Sequence, residues 1–303
     1  MNLSVPVPSQ SFHVDLEDGA KIKVRRYGNP AGMRLIVSHG NGFAIDGYFP
    51  FWQYFTSKHD VLVHDFRNHG QNIPVMPANH NYAQMSRDLE CVLDAADIRL
   101  GRKTTVGIFH SMSARTAMKH AIERGWRWDA LVLFDPPNVP PPTHPQYRAM
   151  EIFENKLAQW ALGRRRRFST VEELAHEYRQ SRAAARWVAG AHELMAHSVL
   201  RKDPAGDGFV LVCAPENEAA IYAEALTLDL WPHASEFGGP VKLIGADPNG
   251  AGAPASARAN QALAVANGYD YNFIAGSGHM LQIEKPTQCA RLVEDFLTHC
   301  GMR

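Results

Sequence analysis

The chain of 303 residues carries 31 lysines and arginines against 31 aspartates and glutamates, so its formal net charge at pH 7 is zero. Nucleic-acid binding normally relies on a surplus of basic residues, so that class of function is not expected here. A hydrophobic share of 45% with no net charge also argues against a disordered chain, and the length suits one large domain or two modest ones.

The cysteines and the N-terminus indicate the compartment. Four cysteines are scattered without a CxxC pair and are expected to be free thiols: Cys91, Cys213, Cys289 and Cys300. Residues 1–6 lack the basic and apolar segments of a secretory signal. No stretch approaches the roughly 20 apolar residues that cross a bilayer. The sequence therefore predicts a cytoplasmic protein without a membrane span, and it leaves the oligomeric state open.

The first half of the chain alternates strand-like and helix-like segments. A hairpin is predicted over 12–27, with its turn at 17–20. Short apolar runs then alternate with helical spacings, giving strands at 34–38, 60–65, 104–109 and 130–134, and helices at 48–57, 82–96 and 114–124. This alternation predicts an α/β fold with a mostly parallel central sheet that is flanked by helices on both faces.

The alternation stops at a proline-rich segment after residue 134, because proline removes backbone donors and ends a strand. Residues 138–231 are predicted to form an inserted helical cap, in which residues 169–172 have the form of a capping box. Alternation resumes with strands at 240–245 and 269–275 and helices at 255–266 and 286–298. The predicted division is a core in two parts, 1–137 and 232–303, around a cap at 138–231.

One segment carries the strongest chemical signal. In residues 106–114 a predicted strand passes through His110, Ser111 and Met112 directly into a helix. A serine on so sharp a turn projects its hydroxyl above the carboxyl edge of the sheet, and the helix N-terminus stabilises negative charge that develops there. Ser111 is therefore the candidate nucleophile, with a helix N-cap as its alternative, structural role.

Five motifs, in order along the chain, resemble the α/β-hydrolase family. They are VSHGNG at 37–42, DFRNHG at 65–70, HSMS at 110–113, GAD at 245–247 and GSGHM at 276–280. In that family the corresponding segments are the oxyanion loop, a D-x-R-x-H-G turn, the nucleophile elbow, the strand end that bears the acid and the histidine loop. The resemblance covers nearly the whole chain apart from 138–231, and it is closest to serine-nucleophile, lipase- or esterase-like members with a helical cap.

The resemblance implies acyl transfer by a catalytic triad. Ser111 attacks a carbonyl, His279 accepts its proton and returns it to the leaving group, and an aspartate orients the imidazole. Asp247 is the predicted acid, because it follows the strand before the last one. Asp135, which follows the strand over 130–134, is the alternative acid.

The resemblance also implies an oxyanion hole and a substrate. The backbone amides of Asn41 and Met112 are expected to bind the oxyanion. The predicted pocket residues are Gly40, Gly42, Phe43, His110 and Met280. The expected partner is a small, mostly apolar molecule with an ester-like carbonyl (ester, lactone or thioester), and no metal, nucleotide or flavin is implied.

One residue departs from the family's pattern. The family has small residues two positions before and two positions after the nucleophile, and Ser113 fits but Phe109 does not. A phenyl ring there predicts an opened or altered elbow. This motivates a rival function, a ligand-binding or signalling protein of the same fold with little turnover. A carbon–carbon bond hydrolase and a cofactor-free oxygenase of this fold also remain open.

Overall fold

The computed structural model describes residues 3–75 and 77–302. Met1 and Asn2, which open the N-terminal segment considered above, lie outside the described residues. The strands are β1 (Gln10–Asp15), β2 (Lys21–Gly28), β3 (Arg34–Val37), β4 (Asp60–His64), β5 (Thr105–His110), β6 (Ala130–Phe134), β7 (Arg167–Phe168), β8 (Leu200–Lys202), β9 (Phe209–Leu211), β10 (Val241–Gly245) and β11 (Asp270–Phe273). The α-helices are α1 (Phe49–Trp52), α2 (Tyr82–Leu100), α3 (Met112–Glu123), α4 (Tyr147–Leu162), α5 (Val171–Gln180), α6 (Ala191–Val199), α7 (Pro215–Glu224), α8 (Ala255–Asn267), α9 (Leu281–Glu284) and α10 (Pro286–His299).

The central sheet organises the molecule. In the described part of the chain it has 8 strands in the order β1-β2-β4-β3-β5-β6-β10-β11. The predicted hairpin β1–β2 is antiparallel, β2 pairs antiparallel with β4, and the other pairs are parallel. Strands β3 to β6 are buried along their whole length, which explains their continuous apolar sequences. The predicted α/β fold, with a mostly parallel sheet flanked by helices, is confirmed.

The segment between β6 and β10 contains more than the predicted helices. Besides α4 to α7 it holds a small antiparallel sheet in the order β7-β9-β8. Its strands are two or three residues long, too short to show an alternating pattern in sequence. Helix α5 begins after Thr170, whose hydroxyl accepts a hydrogen bond from the backbone of Glu173, one position later than the predicted capping box. We refer to residues 138–231 as the insert; the division of the chain at its ends stays a prediction.

The membrane prediction concerns helix length and polarity. Among the described helices, none combines the length and the apolar character that crossing a bilayer requires.

Burial of a histidine at the end of β4 makes folding sensitive to acid. Neither ring nitrogen of His64 has a hydrogen-bond partner within the described residues, and the ring packs 5.2 Å from that of Phe66. Burial lowers the pKa of His64 to about 3, below its ordinary value of 6.5. Below about pH 6.5 the unfolded chain therefore protonates His64, whereas the folded chain keeps this ring neutral. Because of this difference, the free energy of unfolding falls as the pH drops from about 6.5 toward the pKa of the folded state.

We expect His64→Phe to reduce this acid sensitivity, because a phenyl ring fills the site without titrating. Between about pH 7 and about pH 5, the free energy of unfolding should fall less in the variant than in the native protein, by up to about 2 kcal/mol. Urea unfolding at both pH values measures the difference. His299→Phe, at an exposed position at the end of α10, is the matched control. Equal pH slopes for the native protein and His64→Phe would contradict the expectation.

Candidate active site

The turn between β5 and α3 holds Ser111 in a strained conformation. Its φ is 52° and its ψ is −112°, a combination that side-chain-bearing residues seldom adopt and that costs about 1–3 kcal/mol. The backbone N–H of Ser111 donates to the carbonyl of Phe134 at 2.9 Å, which extends the β5–β6 pairing into the turn. The surrounding sheet thereby supports a backbone conformation that presents the serine hydroxyl above the sheet edge.

A second serine closes the same turn. The hydroxyl of Ser113 accepts a hydrogen bond from the backbone N–H of His110 at 2.9 Å and donates one to the carbonyl of His110 at 2.9 Å. A small polar side chain two positions after Ser111 thus bonds both backbone groups of His110 and ties the end of β5 to the start of α3.

The elbow also accommodates the phenyl ring of Phe109. The ring is fully buried and makes an edge-on contact with Trp128, with centroids 5.4 Å apart. It lies over Gly107, where an added Cβ would come within 2.5 Å of the ring. Residues two apart in a strand share a face, so the missing side chain of Gly107 provides the room for Phe109. The strained turn is retained, and the predicted opening of the elbow is wrong.

The structure brings a histidine and an aspartate into line with Ser111. Nε2 of His279 lies 3.0 Å from the hydroxyl oxygen of Ser111, and Nδ1 of His279 lies 2.6 Å from a carboxylate oxygen of Asp135. Because the carboxylate can only accept, Nδ1 carries the proton and Nε2 is left to accept from the serine. The arrangement matches the relative geometry of a serine–histidine–aspartate triad.

Asp135 is fully buried at the end of β6 and is surrounded by donors. Its oxygens accept hydrogen bonds from the backbone N–H of Ala246 at 3.1 Å, from the hydroxyl of Ser256 at 2.8 Å and from the side-chain amide of Asn260 at 2.8 Å. Burial raises the pKa of Asp135, but the hydrogen bonds, that from His279 first, outweigh burial and leave the pKa below its ordinary value. The carboxylate is therefore ionised beside the imidazole.

The predicted acid, Asp247, needs correction. Its carboxylate accepts hydrogen bonds from the backbone of Gly276 at 2.8 Å and of Asn249 at 2.9 Å, and these bonds, led by that from Gly276, lower its pKa. Among the described residues it makes no hydrogen bond to the ring of His279, which Asp135 contacts instead. Asp247 stabilises the loop that leads to the histidine, and the alternative acid occupies the triad position.

The predicted oxyanion loop passes directly against the elbow. A Cβ added at Gly40 would lie 2.9 Å from Nδ1 of His110 and 3.2 Å from the Cβ of Ser111, so any larger residue would force these neighbours to shift. Met112 is the first residue of α3, so its backbone N–H has no acceptor within the helix. Asn41, next along the loop, uses its side-chain amide to donate to the carbonyl of Glu218 in α7, at 2.8 Å. Its side chain is thus engaged by the insert, which leaves its backbone amide as the candidate oxyanion donor.

The insert also contacts the oxyanion loop through a buried ion pair. The carboxylate of Glu218 lies against Gly42, where an added Cβ would collide with it, and Gly42 has a φ of 72°. Arg164, which follows α4, pairs with that carboxylate, and both side chains are almost fully buried. No local sequence pattern links positions 164 and 218, so the sequence carries no signal for this ion pair.

His110 was predicted to line the pocket but is fully buried. Its Nε2 donates to the backbone carbonyl of His279 at 2.8 Å, and its Nδ1 accepts from the hydroxyl of Tyr48 at 2.8 Å. That hydroxyl accepts in turn from the backbone N–H of Gly40 at 3.1 Å. Burial lowers the pKa of His110 to about 3, so the ring stays neutral and keeps this pattern. The His110 ring therefore connects the oxyanion loop to the histidine loop. The sequence signal for this role is the position of His110 directly before Ser111.

A cleft of about 360 Å³ lies between the insert and the core. Phe43 and Met280, both predicted pocket residues, line it from the core side. Gly40 and Gly42 do not belong to its lining; they precede Phe43 in the chain and face the elbow and Glu218 respectively. The insert contributes mostly aromatic and apolar side chains, with charged groups among them: Trp160, Arg164, Arg165, Phe168, Leu174, Glu177, Tyr178, Ala184 and Trp187.

One cluster has the composition of a metal site. Donor atoms of His69, His80 and Cys213, all buried, lie within 4.8 Å of one another. The nitrogens of His69 are already used, one donating to the carbonyl of Arg67 at 2.9 Å and the other accepting from the backbone of Gly42 at 3.1 Å. Burial also raises the pKa of the Cys213 thiol well above its ordinary value, which opposes the thiolate that a metal needs. These contacts fit a hydrogen-bonded framework beneath the oxyanion loop better than a metal centre.

A nucleophile elbow above a mostly parallel sheet, with an aligned histidine and a buried aspartate, defines a class of α/β proteins. The model of the Alpha/beta hydrolase family matches residues 35–292. The chain therefore belongs to the α/β-hydrolase family, and this membership supports a hydrolase. A comparison of the sequence with curated proteins found no match.

Solved structures share the fold at low sequence identity. An E-2-(acetamidomethylene)succinate hydrolase is similar with a TM-score of 0.74 and 17% identity, covering 95% of this chain and 99% of that one. A bromoperoxidase from Bacillus anthracis has a TM-score of 0.73 and 14% identity, with coverages of 95% and 100%. A thermophilic esterase from Thermogutta terrifontis has a TM-score of 0.67 and 17% identity, with coverages of 96% and 99%. Their different activities mean that the fold alone does not select a substrate.

The packing of Phe109 on Gly107 can be tested by stability. We expect Gly107→Ala to lower the free energy of unfolding by about 1–3 kcal/mol, because the added methyl overlaps the phenyl ring. Adding Phe109→Leu should make the double variant more stable than the sum of the two single changes predicts. Gly206→Ala, where a Cβ meets no atom within 4 Å, is the matched control. Urea unfolding measures all four variants, and strictly additive losses would contradict the packing argument.

Proposed function

We propose that the protein is a serine hydrolase that cleaves an ester-like carbonyl (ester, lactone or thioester) of a mostly apolar small molecule through an acyl-enzyme. The observation that carries this proposal is the alignment of Ser111, His279 and Asp135, with distances of 3.0 and 2.6 Å between successive polar atoms. Membership of the α/β-hydrolase family supports it.

The proposed reaction has two halves. The hydroxyl oxygen of Ser111 bonds to the carbonyl carbon while its proton passes to Nε2 of His279. The oxyanion of the tetrahedral intermediate accepts hydrogen bonds from the backbone amides of Met112 and Asn41. His279 returns the proton to the leaving group as the scissile bond breaks, which leaves an acyl group on Ser111. Water then repeats the sequence and releases the acid.

In this scheme Asp135 holds Nδ1 of His279 protonated and stabilises the imidazolium that forms during each attack. The ionised, fully buried carboxylate suits that task, because its charge acts across 2.6 Å in a site with little water.

The cleft supports an apolar substrate. Its insert wall contains several aromatic rings, with those of Tyr178 and Trp187 5.3 Å apart and that of Trp187 6.0 Å from the ring of Phe43 in the core. Flat, apolar groups pack well against such a wall. Because Met280 follows His279 directly, a molecule in the cleft lies beside the histidine loop. We therefore propose that the insert acts as a cap that selects the substrate.

The rival function, a binding protein with little turnover, depended on an opened elbow. The retained strained turn removes that argument. The carbon–carbon hydrolase and the oxygenase share the same residues, so product analysis and dioxygen consumption separate them from an esterase. The proposed cytoplasmic location is supported by the cysteines, which are free thiols.

The nucleophile can be identified by labelling. A fluorophosphonate should add covalently to Ser111, and mass spectrometry of the digested protein should locate the adduct. Ser111→Ala should fold, as judged by circular dichroism and thermal melting, and remain unlabelled. Ser198→Ala, in helix α6 of the insert, leaves the elbow intact and should still be labelled, so it serves as the matched serine control. An adduct that persists on Ser111→Ala would refute the assignment.

The acid can be identified by a matched pair of variants. Asp135→Asn removes the charge beside His279 and can present the wrong hydrogen-bond partner, so kcat on a chromogenic ester should fall by roughly 10³ to 10⁴. Asp247→Asn changes a carboxylate whose hydrogen bonds, among the described residues, come from loop backbone, so kcat should fall far less, with the larger effect on thermal stability. If Asp247→Asn abolished turnover while Asp135→Asn retained it, the geometric assignment would be wrong.

A further inference from the structure

A buried carboxylate holds the backbone immediately before His279. Glu284, at the end of α9, has a fully buried side chain. One of its oxygens accepts a hydrogen bond from the backbone N–H of Gly278 at 2.7 Å. Since Gly278 precedes the histidine, this contact fixes the direction in which the chain enters the catalytic residue.

The same oxygen binds an arginine of the insert. Nε of Arg186, in the connection between α5 and α6, donates to it at 2.7 Å. The guanidinium also lies on Gly278, where an added Cβ would collide with one of its nitrogens. Two residues further on, the backbone N–H of Val188 donates to the carbonyl of Ile283 at 3.2 Å. The segment 184–190 of the insert is therefore docked on the helix that follows the histidine.

This segment is also a wall of the cleft. Trp187, next to Arg186, lines the cleft together with Ala184 and the core residue Met280. A single stretch of seven residues thus contacts both the space proposed for the substrate and the loop that carries His279.

We propose that Arg186, acting through Glu284, positions His279, so that docking of segment 184–190 and placement of the catalytic histidine are coupled. This inference rests on the proposed serine-hydrolase function. Within the described residues Arg186 is the only cation that forms an ion pair with Glu284. Removing it leaves a buried carboxylate without a countercharge, a strongly unfavourable arrangement that shifts the carboxylate and the backbone of Gly278 with it.

A positioning role and a simple cleft-wall role give different kinetics. We expect Arg186→Gln to lower kcat by about 10- to 10²-fold for both a short and a long acyl ester, because small misplacements of a catalytic group have effects of this size. The rate of inactivation by a short-alkyl fluorophosphonate should fall by the same factor, since it reports activation of Ser111. The KM for the short ester should change little. Arg186→Lys should recover part of both rates.

A control variant and a second variant separate a positioning role of Arg186 from the alternatives. Arg179→Gln removes an insert arginine whose ion pairs, with Glu172 and Glu193, stay within the insert, and it should leave kcat and inactivation unchanged. If Arg186→Gln does not fold, Glu284→Gln tests the same coupling, because the amide oxygen still accepts from Gly278 but lacks the charge. A raised KM for the long ester alone, with kcat and inactivation unchanged, would overturn the proposal. Failure of the native protein to be labelled would instead overturn the proposed function on which it rests.

Discussion

The hydrogen bond between Asp135 and His279 is the contact on which the rest of the site depends. It joins the end of β6 to a loop 144 residues later in the chain. The carboxylate is held by donors from two further elements, Ala246 after β10 and Ser256 and Asn260 in α8. Because four groups donate to one buried carboxylate, the protein itself sets the charge and orientation of that carboxylate. The ring of His279 is thereby held in one tautomer, with Nε2 left to accept from the hydroxyl of Ser111.

Neutral and charged contacts around this bond hold the loops of the candidate site. His110 and Tyr48 connect the oxyanion loop to the histidine loop without any charge, which burial permits because the imidazole stays neutral. The insert then reaches the oxyanion loop through Glu218 and the histidine loop through Arg186. A segment inserted between two core strands thus contacts both loops, and the proposed coupling of the insert to His279 depends on these contacts.

The small residues of the elbow motif are needed for the room that they leave, and a different residue can leave the same room. A small residue two positions before the nucleophile keeps strand and helix from clashing. Phe109 meets the same requirement by turning its ring over Gly107 and against Trp128. The sequence contains this glycine, but only the shared face of β5 reveals that it compensates for the phenyl ring. A rival function that depended on an altered elbow therefore loses its physical basis.

The sequence by itself determined the alternation of strands and helices, the serine turn and the histidine loop, because each of these signals is local and lies within a few consecutive residues. The small antiparallel sheet of the insert was not predicted, because its strands are too short to show an alternation of apolar and polar residues. Which aspartate contacts His279 was decided only by the tertiary structure. Asp135 and Asp247 both follow parallel strands, and β6 and β10 are neighbours, so both carboxylates reach the same sheet edge. Which one contacts His279 depends on the loop at 274–280. The backbone of this loop donates a hydrogen bond to Asp247, and the ring of His279 donates one to Asp135.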